Sequence, residues 1–161
     1  KPDVSMPDNE GMEALALAPS QGPDAYWVGI EGGSIWLCRL KATCRQWTSF
    51  ISPGLFFRLT GLAETPQGDL VILHHSWNPL TGTRVRVSIA TIPKAPSARS
   101  LVRDQLELGP RLNIDNFEGG AAVSGPGGAL RLYLISDDNF QASQRTLLEA
   151  FDWLPRPKAR H

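Results

Sequence analysis

An all-β fold built from repeated antiparallel modules is predicted for this 161-residue chain by three observations. First, a short motif occurs three times: Glu13-Ala14-Leu15-Ala16, Thr60-Gly61-Leu62-Ala63 and Glu118-Gly119-Gly120-Ala121. Each copy leads into a Gly/Pro-rich turn, an apolar run, a polar loop and a second apolar run, and the first positions lie 47 and 58 residues apart. Repeats of this length belong to stacked β-units, and a four-stranded propeller blade takes about 40–50 residues. Second, the 15 glycines and 13 prolines fall mostly between apolar runs, where they punctuate turns. Third, no long segment carries a capped 3.6-residue period. A β-sandwich would share the strand density, but it would not require the same strand-turn-strand formula three times. About three four-stranded propeller-type modules are therefore expected, forming one partial domain over residues 1–161.

The elements follow in order. Lys1–Asn9 is polar and reads as an extended leading segment. The first module, about residues 9–52, offers strands at Ala14–Leu17, Ala25–Ile30, Ile35–Leu40 and Gln46–Ile51, with turns at Pro19–Asp24 and Glu31–Ser34. The second, about 53–98, has a strand from near Phe56 to Ala63, then the Pro66–Asp69 turn and a strand at Leu70–His74. A polar loop at Ser76–Thr83 leads to Arg84–Ile92, where Val85, Val87 and Ile89 alternate with Arg84, Arg86 and Ser88, the period of a half-buried antiparallel strand. Lys94–Arg103 reads as an exposed connector, with a short helical turn at Ser100–Gln105. The third module, about 110–154, has strands at Gly119–Val123, Leu130–Ile135 and Thr146–Trp153, separated by the Ser124–Gly128 turn and the polar Asp137–Gln144 loop. The basic tail Leu154–His161 reads as frayed.

Composition excludes some functions. The formal net charge is zero, which argues against a nucleic-acid surface driven by bulk charge. No apolar run approaches the roughly 18–20 residues that cross a bilayer as a helix. The chain starts at Lys1 without a signal peptide, so a processed form or a fragment is expected. Cys38 and Cys44 lack CxxC spacing. They fit either a local disulfide across a hairpin or two free thiols.

The third module carries a family resemblance. Asp115-Asn116-Phe117-Glu118-Gly119, Leu132–Phe140 and Gln144–Leu148 resemble the phytase-like family, described by an esterase-like activity of phytase. Asn9-Glu10-Gly11-Met12-Glu13-Ala14-Leu15-Ala16 is similar to a second signature of that family, and Arg58–Ala63 fits the intervening blade. The resemblance implies a β-propeller of bacterial, usually exported (periplasmic or secreted) proteins. Members are about twice this long, as suits a six-bladed ring, so the chain resembles a C-terminal half, and a homodimer or an N-terminal half would complete the ring. It also implies a hydrolase of phosphate or carboxylic esters.

In a propeller the innermost strands converge on a central channel. Glu13, Thr60 and Glu118 are equivalent, so two carboxylates from separate blades would meet at one mouth. There they would need a shared proton or a cation, and Ca²⁺ or Mg²⁺ suits such an oxygen-rich site. Asp137, Asp138 and Asn139 follow a strand whose counterparts end at Glu31 and at His75-Ser76. Glu13, Glu118 and His74 are the expected catalytic residues. Asn116, Asn139 and Trp77 are expected to bind ligand, and Glu118, Asp137 and Asp138 to bind metal, polarising an ester or phosphate oxygen. The same Asp and Asn residues also fit turn capping. His74 and His75 point to opposite sides of one strand and cannot both serve one site. Arg84, Arg86, Arg131 and Arg145 fit phosphate binding or solvated strand faces. Trp27, Trp36, Trp47 and Trp153 are expected between blades, whereas Trp77 would wall a ligand. No Gly-x-Ser-x-Gly elbow, P-loop or His-Glu-x-x-His motif is present. A non-catalytic propeller that binds a ligand or protein partner at the same mouth is the alternative.

Overall fold

The computed structural model describes residues 11–50, 54, 56–98 and 100–154. The leading segment Lys1–Asn9, the signature residue Glu10, the Ile51 end of the fourth expected strand and the tail beyond Leu154 lie outside the described residues.

The described chain is all-β, with eleven strands and two short 3₁₀ turns, at Pro19–Gln21 and Pro126–Gly128. The first sheet is the meander β1 (Met12–Leu17), β2 (Ala25–Ile30), β3 (Ser34–Arg39) and β4 (Arg45–Ser49). The second is β5 (Arg58–Glu64), β6 (Asp69–Asn78), β7 (Gly82–Thr91) and β8 (Val102–Leu108). The third is β9 (Phe117–Ser124), β10 (Leu130–Ser136) and β11 (Leu148–Trp153). All pairings are antiparallel. These are propeller-like blades, two of four strands and one of three among the described residues.

Two local expectations are corrected. The polar stretch Ser76–Thr83 is mostly ladder: Ser76 pairs with Arg84, Trp77 with Thr83 and Asn78 with Gly82, leaving a tight turn that Gly82 closes at φ 69°. The expected helical turn at Ser100–Gln105 is replaced by β8, which pairs with β7 and carries the second sheet to Leu108. The cross-strand ion pairs of Glu107 with Arg84 (2.9 Å) and Arg86 hold that edge, so a polar segment becomes strand by charge pairing as much as by burial.

Alternation along β6 places the second sheet between its neighbours. Leu70 and Ile72 join Ala14, Trp27 and Ile35 of the first sheet in one core. Val71 and Leu73, with Val85 and Val87, join Phe117, Leu132 and Leu134 of the third in another. Fully burying one such side chain stabilises the fold by about 1.5–3 kcal/mol. Gly29 permits the first contact, since a Cβ there would lie 2.5 Å from Leu59 Cδ2. Tryptophans tie the seams. Trp27 Nε1 donates to Glu64 (2.8 Å), Trp47 Nε1 to the Pro93 carbonyl (3.0 Å) and Trp153 Nε1 to Asp104 (3.0 Å). Trp36 instead packs with Val28, Ile30 and the Cys38–Cys44 disulfide on the first sheet's other face.

Candidate functional site

The first strand of each sheet carries the same irregularity near its start. In β1 the register passes from Met12↔Ile30 to Ala14↔Gly29, skipping Glu13. In β5 it passes from Leu59↔His74 to Gly61↔Leu73, skipping Thr60. In β9 it passes from Phe117↔Ser136 to Gly119↔Ile135, skipping Glu118. The leading residue of each repeated motif is thus the extra residue of a β-bulge. A bulge breaks the alternation and re-aims a side chain that would otherwise lie on a sheet face.

All three residues line one cleft of about 330 Å³. Gly61 lies where β5 meets β9: a Cβ there would crowd Leu73 Cβ at 3.1 Å and reach ordinary contact with the Glu118 carbonyl oxygen at 3.4 Å. Thr60, the non-acidic member of the set, donates from Oγ1 to the Phe117 carbonyl (3.0 Å) and so pins the two strands together. Glu118 accepts a short hydrogen bond from Asn116 Nδ2. Partial burial raises the Glu118 pKa. The Asn116 bond opposes the rise, and the Asp137 and Glu13 carboxylates add to it. Two neighbouring acids therefore act on Glu118, as carboxylates at one mouth must.

A second set of equivalent positions surrounds the first. Glu31, whose amide donates to the Gly11 carbonyl (3.2 Å), corresponds to His75, opposite Arg58, and to Asp137, whose amide donates to the Asn116 carbonyl (3.0 Å). Glu31 and His75 line the cleft with Arg58, Phe56 and Trp77. Arg58 Nε lies 3.7 Å from Glu31. Burial lowers the His75 pKa, with the Asp115 carboxylate opposing, and His75 Nε2 is buried with no partner among the described residues.

The structure places His75, not His74, at the cleft. His74 stands opposite Arg86 and Leu59 and is buried on the other side of β6. Burial and then the Arg86 charge lower its pKa to about 4, and neither ring nitrogen has a partner among the described residues. Asp138 and Asn139 do not line the cleft. Asp138 accepts from the Phe140 amide (2.9 Å) and Thr146 Oγ1 (3.3 Å), and Asn139 Nδ2 donates to Gln144 (2.9 Å), which caps their own turn. Asp137 likewise accepts from the Asn139 amide (3.2 Å). Among the described residues no group of three or more His, Cys, Asp or Glu side chains is placed to hold a metal ion. Asp138, expected beside Glu118 and Asp137 at one ion, turns both of its carboxylate oxygens to hydrogen bonds within its own loop.

Arg58 was missed by the sequence reading. It occupies the repeat position of Asn116 and Gly11, a signal that the alignment of modules contained. The other arginines considered for phosphate are matched by acids. Arg131 makes two bonds to Asp152 (2.7 and 2.8 Å), and Arg145 lies 3.5 Å from Asp115.

A stack of propeller-like blades with a polar cleft where its innermost strands converge is the class that fold and site define. The phytase-like family model, described as "esterase-like activity of phytase", matches residues 1–140. The match spans well over half of the chain, and the chain belongs to this family. No curated protein matches it. Among the described residues no helix is long and apolar enough to cross a membrane.

Proposed function

We propose that the cleft is the site of an ester hydrolase acting on carboxylic or phosphate esters, with Glu118 and His75 as its acid and base. The observation that carries this reading is the threefold bulge, which turns Glu13, Thr60 and Glu118 into one cleft beside a histidine whose Nε2 has no partner among the described residues. The family's description supports the reaction class. His75, kept neutral by burial, takes a proton from water as the oxygen attacks the ester. Glu118, whose protonated form burial and its acidic neighbours favour, gives its proton to the departing alcohol oxygen. Arg58, across from His75, faces the charge that develops on the acyl oxygen. Glu13 is a positioning residue here, since its charge favours the protonated form of Glu118. These steps use the chain's own residues; a Ca²⁺ or Mg²⁺ held beside Glu118 and Asp137 would add polarisation of the ester or phosphate oxygen.

Glu118→Gln and His75→Gln should each lower kcat/KM on an activated ester about 100-fold or more. Undiminished turnover in either variant overturns the assignment of that residue. The pH profile should be bell-shaped. His75 must be neutral, so activity falls below its lowered pKa; Glu118 must be protonated, so activity falls above its raised one. The maximum lies between the lowered His75 pKa and the raised Glu118 pKa. The second reading, a non-catalytic binding mouth, is favoured by the exposed Phe56 and Trp77 at the rim.

The chain is read as one partial domain of a ring, with modules near 9–52, 53–98 and 110–154. Further blades, from a second copy or the other half of the ring, cover its open faces. The exposed Leu15 and Leu17 of β1 and the exposed Ile135 and Leu148 of the third sheet support this reading. A periplasmic or secreted location is supported by the Cys38–Cys44 disulfide, which an oxidising compartment preserves.

A further inference from the structure

We infer that the cleft selects esters whose alcohol portion carries an organic cation, such as a quaternary ammonium group, over phosphorylated esters. This rests on the hydrolase reading above and adds its substrate class. With Glu118 carrying the proton it donates, Glu13 and Glu31 supply the negative charge lining the cleft against one guanidinium, Arg58, and that guanidinium already faces Glu31. Asp137 adds a fourth acid within electrostatic reach of Glu118. A phosphate group entering here meets the Glu13 carboxylate and an Arg58 already facing Glu31, and the strand arginines that might bind it elsewhere are committed. Arg84 and Arg86 pair with Glu107, Arg131 with Asp152 and Arg145 with Asp115.

The apolar part of the lining points the same way. Phe56 is 54% exposed and Trp77 is 60% exposed, both at this cleft. Trp77 sits on a paired strand, opposite Thr83, so a ladder and not a loose loop holds its ring in place. Aromatic faces attract cations through the negative centre of the ring, tryptophan most strongly. Acids beside exposed aromatics are the chemistry that recognises a bulky, weakly hydrated ammonium group. The rings of Phe56 and Trp77 also suit its methyl groups, which a metal ion would not use. Glu13 and Glu31 then hold the cation, and Glu118 and His75 face the ester bond.

The test compares acetylcholine with its uncharged carbon isostere and with an aryl phosphate, and separately titrates tetramethylammonium against tryptophan fluorescence. The cationic ester should exceed its isostere about tenfold in kcat/KM, and the phosphate should be slowest. Trp77→Leu and Glu13→Gln should each shrink the cationic preference to about twofold. Tetramethylammonium should quench fluorescence in the parent and not in Trp77→Leu. Equal turnover of ester and isostere overturns the inference and leaves the hydrolase reading standing. Turnover of none of the three, with quenching that depends on Trp77, overturns the hydrolase reading and upholds the cation site. Absence of quenching together with a preference for the phosphate overturns the inference outright.

Discussion

The second sheet is covered on both faces, whereas each of its neighbours is covered on one. Equivalent residues show what this means. Leu62 on β5 is 2% exposed because it meets the first sheet, while Leu15, its counterpart on β1, is 73% exposed. Ala63 is buried against the third sheet, while its counterpart Ala121 on β9 is exposed. The repeat therefore builds the same two-faced blade three times, and burial is decided by the neighbour and not by the residue. Leu73→Ala puts this contrast to its largest test. Leu73 is buried in the core between the second and third sheets, so the substitution should cost about 2–5 kcal/mol in urea unfolding. Leu15→Ala should cost under about 0.5 kcal/mol, as an exposed position does. A loss at Leu15 as large as at Leu73 would mean that the face is covered in solution, and sedimentation would then show a larger mass.

Much of this was legible in the sequence, but unevenly. Ala25–Ile30 was read to the residue because an apolar run ends in glycines and a Pro-rich turn. β8 was not, since only Leu108 of its residues is buried; its pairing depends on Arg84 and Arg86 meeting Glu107, which lies 21 residues from Arg86. The positions of Glu13, Thr60 and Glu118 were legible through the repeat, yet the bulges that aim them were not. A bulge is a slip of register between two strands and leaves no mark on composition. The same slip explains the histidines. Alternation says that His74 and His75 face opposite ways, but which one meets the cleft depends on the skipped Thr60 and on which sheet lies on which side of β6.

The histidines on the two sides of β6 also differ in how they respond to pH. His74 is buried and its folded pKa is lowered from 6.5 to about 4. A base with a depressed folded pKa binds its proton more readily in the unfolded chain. Stability is therefore full above about pH 6.5 and falls as pH drops toward 4. The loss over this window should be roughly 3 kcal/mol by linkage. His75, with its pKa also lowered, adds in the same direction. His74→Leu should flatten most of the slope, while His75→Gln should flatten less of it and reduce activity. A slope unchanged in His74→Leu would show that acid acts elsewhere in the fold.

The smallest effect tests the polar tie across the seam of the first and second sheets. Glu64 accepts from Trp27 Nε1 (2.8 Å) through one oxygen and from the Ser20 amide (2.8 Å) through the other. Its counterpart on β1 is Leu17, which faces outward with no sheet to meet. A carboxylate is thus used where a blade follows another, because a buried indole N–H left without an acceptor costs free energy that packing does not return. Glu64→Ala should cost about 1–3 kcal/mol, as expected for a buried donor left unpaired. Glu64→Gln keeps an acceptor for Trp27 and should recover most of that loss. Trp27 is fully buried, so the shift of its fluorescence on unfolding follows the seam directly. An equal loss in the two variants would mean that the charge of Glu64, and not its acceptor geometry, holds the sheets together.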